Sequence, residues 1–120
     1  MKVLVIDDEA SLLKLLKLSL SSPTVQVLTA DTAKTGIETF KTDIFDVVLC
    51  DIGLPDQDGL QVLQQLKTIR AETPVIMITA HGSIQTALTA MKNGAYDYIQ
   101  KPFEPEDLHR LIGKVLGVKK

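Results

Sequence analysis

The chain of 120 residues has little cysteine, no long apolar run and no excess of positive charge. Its single cysteine, Cys50, cannot form a disulfide within the chain, which favours a cytoplasmic setting. No apolar run approaches the roughly 20 residues that a membrane span needs, and the short apolar start meets acids at 7–9, unlike a signal peptide. Because acids and bases are interspersed at a net charge of −2, we do not expect direct nucleic-acid binding by this segment.

The sequence does contain enough apolar material for one folded domain. Its hydrophobic fraction of 45% is typical of globular proteins, and its length is sufficient for a core. We find no internal repeat, low-complexity tract or interior linker, so we expect one domain over 1–120. Residues 117–120 are a candidate start of a linker to an output domain that lies elsewhere.

Five apolar segments are predicted to form strands, and each is followed by a helical pattern. The strands are expected at 2–6, 25–28, 46–51, 75–78 and 96–99. The helices are expected to begin near residue 10, at a cap formed by Asp31 or Thr32, after Gly59, at a Ser83 cap and at Pro105. This alternation predicts an α/β fold with one doubly wound, flavodoxin-like sheet of five parallel strands and five helices on its two faces.

Three local expectations concern packing and capping. Six leucines within 12–20 predict a broad buried face on the first helix. Asp56 and Asp58 are expected to act as turn and cap residues before the third helix. His81 and His109 have no partner at metal-ligand spacing, so we expect both at the surface.

Polar side chains follow the predicted strands at one end. Asp7 and Asp8 end the first strand, Asp51 ends the third, Thr79 ends the fourth and Lys101 follows the fifth. The carboxyl ends of parallel strands share one edge of a sheet, where open α/β folds place their ligands. For the acidic pair to meet Asp51, the first and third strands must be neighbours, which requires the strand order 2-1-3-4-5.

These side chains together have a definite chemistry. Three clustered carboxylates repel one another and need a cation, and oxygen ligands favour a hard divalent ion, Mg²⁺ above others. An aspartate carboxylate is a competent nucleophile toward phosphorus and gives an acyl phosphate. A metal ion, an amine and a hydroxyl can stabilise a transferred phosphoryl group. The sequence therefore predicts phosphoryl transfer to Asp51 with Mg²⁺ as cofactor, assisted by Lys101 and Thr79.

Four short motifs carry these residues in a fixed order. They are Val5-Ile6-Asp7-Asp8-Glu9, Asp51-Ile52-Gly53-Leu54-Pro55 with Asp58-Gly59, Ile78-Thr79-Ala80, and Lys101-Pro102-Phe103. With these motifs at these spacings, the sequence resembles the receiver domain of bacterial two-component response regulators over essentially its whole length. The segment 79–103 is most similar to receivers of NtrC-type transcription activators, which work with the alternative sigma factor.

The resemblance implies an acceptor and a metal site. Asp51 would accept a phosphoryl group from the phosphohistidine of a sensor kinase. Asp8 would bind Mg²⁺ directly, Asp7 would bind it largely through water, and Gly53 would offer its backbone carbonyl. The chain would be a switch and no enzyme, because it would catalyse only its own phosphoryl transfer and slow self-dephosphorylation.

The resemblance also implies how phosphorylation of the site changes the conformation of the domain. Thr79, Lys101 and the backbone N–H of Ala80 would bind phosphoryl oxygens, and the Lys101–Pro102 bond would be cis. Thr79 would move toward the phosphoryl group, and Tyr98 would turn inward to fill the space. The surface of the fourth helix, fifth strand and fifth helix would then change to control an output such as transcription, and the fourth and fifth helices are a candidate homodimer surface.

Three alternatives compete with this interpretation. A phosphatase of the haloacid dehalogenase kind needs a second Asp two residues after the nucleophile, where this chain has Gly53, and also a cap domain. A flavodoxin-type flavin carrier needs a Ser/Thr/Gly-rich phosphate loop after the first strand, where the acids at 7–9 would repel the cofactor. A receiver-like interaction module that is never phosphorylated usually lacks one of the key residues, and all of them are present here.

Overall fold

The computed structural model describes residues 1–80 and 84–117, which form a parallel sheet covered by helices on both faces. The elements are β1 Lys2–Ile6, α1 Ala10–Leu20, β2 Gln26–Ala30, α2 Ala33–Thr42, β3 Val47–Asp51, α3 Gly59–Ile69, β4 Val75–Thr79, α4 Ile84–Lys92, β5 Asp97–Gln100 and α5 Pro105–Gly117. The strand order is β2-β1-β3-β4-β5, which confirms the predicted topology. No helix in the described ranges combines the length and apolarity that a membrane span requires.

All neighbouring strands run parallel, so their ends are brought to common edges. The register pairs Ile6 with Cys50 and Thr79 with Gln100. The residues that follow these positions therefore lie along one edge, which we call the carboxyl edge, and Asp51 is part of it. The opposite edge, where the strands begin, is called the amino edge.

The sheet separates two hydrophobic clusters. One face packs against α1 and α5 and includes Leu16 and Leu108, which are fully buried. The other face packs against α2, α3 and α4 and includes Phe40, Leu66 and Ala90. Because both faces are covered, β3 and β4 are buried along their whole length, which explains their continuous apolar sequences.

The buried face of α1 is narrower than the leucine content predicted. Leu13, Leu16 and Leu20 are buried, whereas Leu15 and Leu18 are 47% and 74% exposed. At about 100° per residue, the buried three form one stripe and the exposed two point away from the sheet. The prediction of a broad buried face was therefore wrong for these two leucines.

The predicted bounds of β2 and β5 were displaced by one or two residues, and one bound each of β3 and β4 was displaced by one residue. β2 begins at Gln26, because Val25 instead forms an antiparallel bridge with Ser22, and it continues to Ala30 beside β1. β5 begins at Asp97 and not at Tyr96, whose side chain is exposed. None of these shifts changes which edge the site residues occupy.

Helix capping confirms two expectations and corrects a third. Of the two candidate caps of α2, Thr32 is the one used, since its Oγ1 accepts from Thr35 N at 3.1 Å. Asp58 caps α3 by accepting from Leu60 N at 2.9 Å. Asp56 does not cap α3 and instead accepts hydrogen bonds at the start of α2.

Other local features can be stated briefly. Gly94 follows α4 with φ of +100°, a left-handed conformation that glycine adopts without a Cβ penalty. The Lys101–Pro102 peptide bond is cis, as the resemblance implied. His109 is exposed as expected, whereas the expectations for His81 and Ser83 lie outside the described residues.

The amino edge carries paired charges. Lys2 Nζ contacts the Asp43 carboxylate, and Asp46 accepts a hydrogen bond from Lys2 N at 2.8 Å. Arg70 Nη1 donates to the carbonyl oxygens of Phe40 and Asp43, each at 3.0 Å, and its guanidinium lies 4.8 Å from the Phe40 ring centroid. These contacts fix the C-terminal end of α2 against α3 and the start of β1.

Candidate functional site

The carboxyl edge brings the predicted acidic residues together. Asp7, Asp8 and Asp51 each offer one carboxylate oxygen, and these oxygens lie within 4.8 Å of one another. Asp7 is fully buried, Asp51 is 7% exposed and Asp8 is exposed. Carboxylates at this spacing repel one another, and their oxygens are the ligands that hard divalent cations prefer. The donor set therefore fits a magnesium ion.

Asp7 is held by the backbone and still has acceptor capacity. Its Oδ1 accepts from Glu9 N at 2.8 Å, and its own N–H donates to Ala30 O at 3.0 Å. Its buried Oδ2 lies 3.0 Å from Lys101 Nζ, yet within the described part of the chain it accepts no hydrogen bond of regular geometry. An incompletely satisfied buried carboxylate oxygen is costly, which again favours a cation beside it.

Lys101 supplies positive charge to the cluster. Its Nζ lies 3.0 Å from Asp7 Oδ2, 3.4 Å from Glu9 Oε1 and 3.7 Å from Asp51 Oδ2. Its backbone N–H donates to Thr79 O at 2.8 Å, which ties it to the end of β4. Partial burial by itself lowers the pKa of the Lys101 ammonium, but the surrounding carboxylates, Asp7 first, raise that pKa overall. Lys101 is therefore protonated at neutral pH.

Asp51 is a buried carboxylate at the end of β3. Its Oδ1 accepts from Gly53 N at 3.2 Å. Burial first, and then the charge of Asp7, raise the pKa of Asp51 above its ordinary value, although the Gly53 N–H and Lys101 oppose this in part. The ionised form is thus disfavoured in the folded chain, and a nearby cation would relieve that cost.

The loop after Asp51 is fixed by a glycine that no larger residue can replace without movement. A Cβ at Gly59 would lie 2.4 Å from Ile52 Cα and 2.7 Å from Asp51 O. Gly59 N also donates to Ile52 O at 2.9 Å. By contrast, Gly53 is exposed, and a Cβ there would have no heavy atom of the described residues within 4 Å. The packing at 59 therefore sets the path of the backbone beside the site.

Thr79 and Tyr98 lie on neighbouring strands near the same edge. Thr79 is fully buried, and its Oγ1 has no hydrogen-bond partner among the residues that the structure describes. A buried hydroxyl without a partner costs free energy, so this oxygen is available to a group that enters the site. Tyr98 is half-buried and packs against the cluster on the α2–α3–α4 face, and Ala80 is exposed.

One charged residue near the site was given no role from the sequence. Glu9 contacts Lys101 at 3.4 Å across a separation of 92 residues, and it also bounds an open cavity beside the site. This cavity of about 420 Å³ is lined by Glu9, Leu12, Ala80, Lys101, Pro102 and Phe103. The third acid of the first motif was the available sequence signal for this contact.

Comparison with known proteins identifies relatives over nearly the whole chain. Residues 3–113 match the family described as the response regulator receiver domain. The transcriptional regulatory protein ZraR of Escherichia coli (strain K12) is 33% identical over 115 residues, which cover 96% of this chain and 26% of ZraR. The response regulator protein PilR of Pseudomonas aeruginosa is 36% identical over 118 residues, which cover 98% of this chain and 26% of PilR.

Solved structures of response regulator proteins are similar to this chain in sequence and in fold. A response regulator receiver domain protein from Clostridium thermocellum is 36% identical with a TM-score of 0.91, covering 98% of this chain and 95% of that one. NtrX from Brucella abortus is 34% identical with a TM-score of 0.92, covering 98% of this chain and 27% of that one. The chain spans about a quarter of the length of ZraR and PilR. These relatives confirm the predicted resemblance, and the chain belongs to the response regulator receiver domain family.

Proposed function

We propose that this chain is a phosphorylation-dependent signalling switch that accepts a phosphoryl group on Asp51 from the phosphohistidine of a sensor kinase. The observation that carries the proposal is the arrangement at the carboxyl edge. Three carboxylates, the Lys101 ammonium and the Thr79 hydroxyl, which has no hydrogen-bond partner among the described residues, lie at adjoining strand ends. Membership of the receiver family supports the same conclusion and argues against the phosphatase and flavin-carrier alternatives.

The acidic cluster is proposed to hold Mg²⁺. Asp8 would bind the ion directly, Asp7 largely through water, and Gly53 through its backbone carbonyl beside Asp51. The incompletely satisfied Oδ2 of Asp7 and the spacing of the three carboxylates support this assignment. When bound, the ion would neutralise charge that develops on the phosphoryl oxygens.

Asp51 is proposed as the nucleophile. One of its carboxylate oxygens would form a bond to phosphorus while the phosphorus–nitrogen bond to the kinase histidine breaks, and the histidine nitrogen would keep the electron pair. Lys101, whose Nζ lies 3.7 Å from Asp51 Oδ2, would bind a phosphoryl oxygen. Thr79 Oγ1 and the backbone N–H of Ala80 would bind the others.

The switch is proposed to run from Thr79 to Tyr98 across the β4–β5 pair. Thr79 would move toward the phosphoryl group, and the Tyr98 ring would fill the space left beneath it. Phosphorylation would then shift the population between two arrangements of the α4–β5–α5 surface, which is also the proposed homodimer surface. Because the chain spans about a quarter of its transcriptional relatives, we propose an output domain in the same or another chain.

Intact-mass measurement tests the proposal. The chain would be incubated with Mg²⁺ and a small acyl-phosphate donor, with and without a chelator. We expect one phosphoryl adduct on the wild type with Mg²⁺, none on Asp51→Asn, and a strongly reduced adduct with the chelator. Asp43→Asn, on the amino edge, is the matched control and should be modified like the wild type.

Three outcomes would count against the proposal. Equal adducts on the wild type and on Asp51→Asn would remove Asp51 from its role. A wild type that takes up no phosphoryl group would favour the receiver-like interaction module. Turnover of small phosphomonoesters, which a receiver should not catalyse, would revive the phosphatase alternative.

A further inference from the structure

Asp56 connects the loop after the acceptor to a distant helix. It lies in the loop 52–58, between β3 and α3. Its Oδ1 accepts from Ala33 N at 2.9 Å, and its Oδ2 accepts from Lys34 N at 3.1 Å across a separation of 22 residues. Ala33 and Lys34 are the first two residues of α2. The Asp56 carboxylate therefore forms a bridge, by both of its oxygens, between loop 52–58 and α2.

The start of α2 depends on this bridge for its hydrogen bonds. The first N–H groups of a helix have no acceptor within the helix. Asp56 accepts two of them, Thr32 Oγ1 accepts that of Thr35, and the N–H of Gly36 is the first to bond within the helix, to Thr32 O at 3.0 Å. These hydrogen bonds, the one from Ala33 first, lower the pKa of Asp56, so its carboxylate is ionised at neutral pH.

The same loop is hydrogen-bonded to the acceptor residue. Gly53 N donates to Asp51 Oδ1 at 3.2 Å, and Gly59 N donates to Ile52 O at 2.9 Å. These two bonds stay within the loop and the residues that flank it. The two bonds of Asp56 leave the loop and are its polar link to α2, beside the buried Leu54 of the same loop, which belongs to the hydrophobic cluster that also includes Ala33 and Ile37 of α2.

We propose that Asp56 is a positioning residue for the acceptor site, because its bridge to α2 keeps loop 52–58 in the conformation in which Asp51 and Gly53 bind Mg²⁺. The inference rests on the proposed function of that site. Without the bridge the loop occupies further conformations, and the apparent affinity falls with the fraction that is competent. Since coupling is reciprocal, Mg²⁺ binding also stabilises the first turn of α2.

Titration with Mg²⁺ alone, followed by calorimetry or amide chemical shifts, tests this coupling. Asp56→Ala should raise the dissociation constant for Mg²⁺ about fivefold, which is the change expected from losing a contact of helix-cap strength. Thr32→Ala is the matched control, because it removes an acceptor from the same turn of α2 without touching the loop. It should leave the dissociation constant within about twofold of wild type. Asp56→Asn, which keeps one acceptor oxygen, should have a dissociation constant between those of the wild type and Asp56→Ala.

Hydrogen exchange gives a second readout that does not depend on phosphorylation. In the wild type, saturating Mg²⁺ should slow exchange of the Ala33 and Lys34 amides. In Asp56→Ala these amides should exchange rapidly with or without the ion, while the amide of Phe40, deeper in α2, stays protected and shows that the variant is folded.

The results separate this inference from the proposed function. Wild-type Mg²⁺ affinity in Asp56→Ala overturns the inference alone. An equal loss of affinity in Thr32→Ala also overturns it, because the stability of α2 and not the bridge would then matter. A wild type that binds no Mg²⁺ overturns the proposed function and the inference with it.

Discussion

The two edges of the sheet differ in how far their polar and charged groups are satisfied by hydrogen bonds and ion pairs. At the amino edge, Lys2 contacts Asp43, and Arg70 donates to two carbonyl oxygens where α2 ends. The hydrogen bond from Lys2 lowers the pKa of Asp43, so its ionised form is favoured by folding. These groups are satisfied by one another, as expected where charges serve stability.

At the carboxyl edge, the charge of the acceptor-strand carboxylate Asp51 opposes folding. Burial and Asp7 raise the pKa of Asp51, which means that folding disfavours its ionised form. Within the described residues, Asp7 Oδ2 and Thr79 Oγ1 are buried without a hydrogen bond. Unlike the described part of the amino edge, this edge therefore has buried polar atoms whose hydrogen-bonding capacity is not used, and perturbed groups of this kind cluster at functional sites.

The largest effect should come from breaking the backbone path at the carboxyl edge. Gly59→Ala would place a Cβ within 2.7 Å of backbone atoms of Ile52 and Asp51, so we expect a loss of about 3 kcal/mol in unfolding free energy. In Gly113→Ala, in α5, the new Cβ meets no atom of the described residues within 4 Å, and the unfolding free energy should rise by up to about 1 kcal/mol. Urea denaturation measures both, and a Gly59→Ala variant as stable as wild type would contradict this packing.

Each edge has a lysine in an ion pair, and removing the two lysines should change stability by different amounts. Lys101→Ala leaves the buried Asp7 carboxylate without its ion pair, so without Mg²⁺ we expect a loss of about 2 kcal/mol, reduced by the partial exposure of Lys101. Lys2→Ala removes a pair whose two side chains are each about one-third exposed, and it should cost less than Lys101→Ala. Denaturation in the presence of a chelator gives both values. A larger loss for Lys2→Ala would reverse the assignment of the two edges.

Divalent metal should act on one edge only. At about ten times its dissociation constant, Mg²⁺ should stabilise the wild type by about 1.4 kcal/mol, because it binds the folded state alone. The gain should be strongly reduced in Asp8→Asn and Asp51→Asn, and chelation should reverse it. Thermal unfolding measures the effect, and Asp43→Asn should respond like the wild type. An equal response in all variants would place the ion elsewhere.

The smallest expected changes in unfolding free energy, at neutral pH without metal, have opposite signs for Asp51→Asn and Asp43→Asn. Asp51→Asn should stabilise by on the order of 1 kcal/mol, because its raised pKa penalises the ionised form in the folded state. This gain should shrink as the pH falls through the raised pKa and vanish below the ordinary value of 3.8. Denaturation of the wild type and Asp51→Asn at a series of pH values measures this pH dependence.

Asp43→Asn should destabilise under the same conditions. Lys2 lowers the pKa of the Asp43 carboxyl. The stability that the ionised Asp43 contributes is therefore complete above the ordinary pKa of 3.8 and is lost as the pH falls through the lowered pKa. The same denaturation series measures it. If Asp51→Asn and Asp43→Asn both raised the unfolding free energy, or both lowered it, the contrast between the two edges would be contradicted.

The fold and most of the site could be predicted because their signals are local or fixed by topology. Buried strands are continuous apolar segments, and their polar ends fall at one edge of any parallel sheet. The need for Asp7 and Asp8 to meet Asp51 then gave the strand order that the structure shows. The cluster of three carboxylates beside Lys101 follows from that order.

The remaining features depend on packing between distant residues. Leucines on every side of α1 do not reveal that Leu15 and Leu18 face away from the sheet. Asp56 finds its partners 22 and 23 residues earlier in the chain, and Glu9 contacts Lys101 from the far end of the sequence. Turn propensity predicts a loop for Asp56, but only tertiary structure shows which helix its carboxylate caps.

Chemical reduction of the phosphorylated chain identifies the residue that carries the phosphoryl group. The chain is phosphorylated with a small acyl phosphate and Mg²⁺, then reduced with borohydride, which converts an aspartyl phosphate to homoserine as phosphate leaves. Peptide mass spectrometry then identifies the reduced residue. We predict reduction at Asp51 alone. Reduction at Asp7 or Asp8, or at no residue of a phosphorylated chain, would contradict the account.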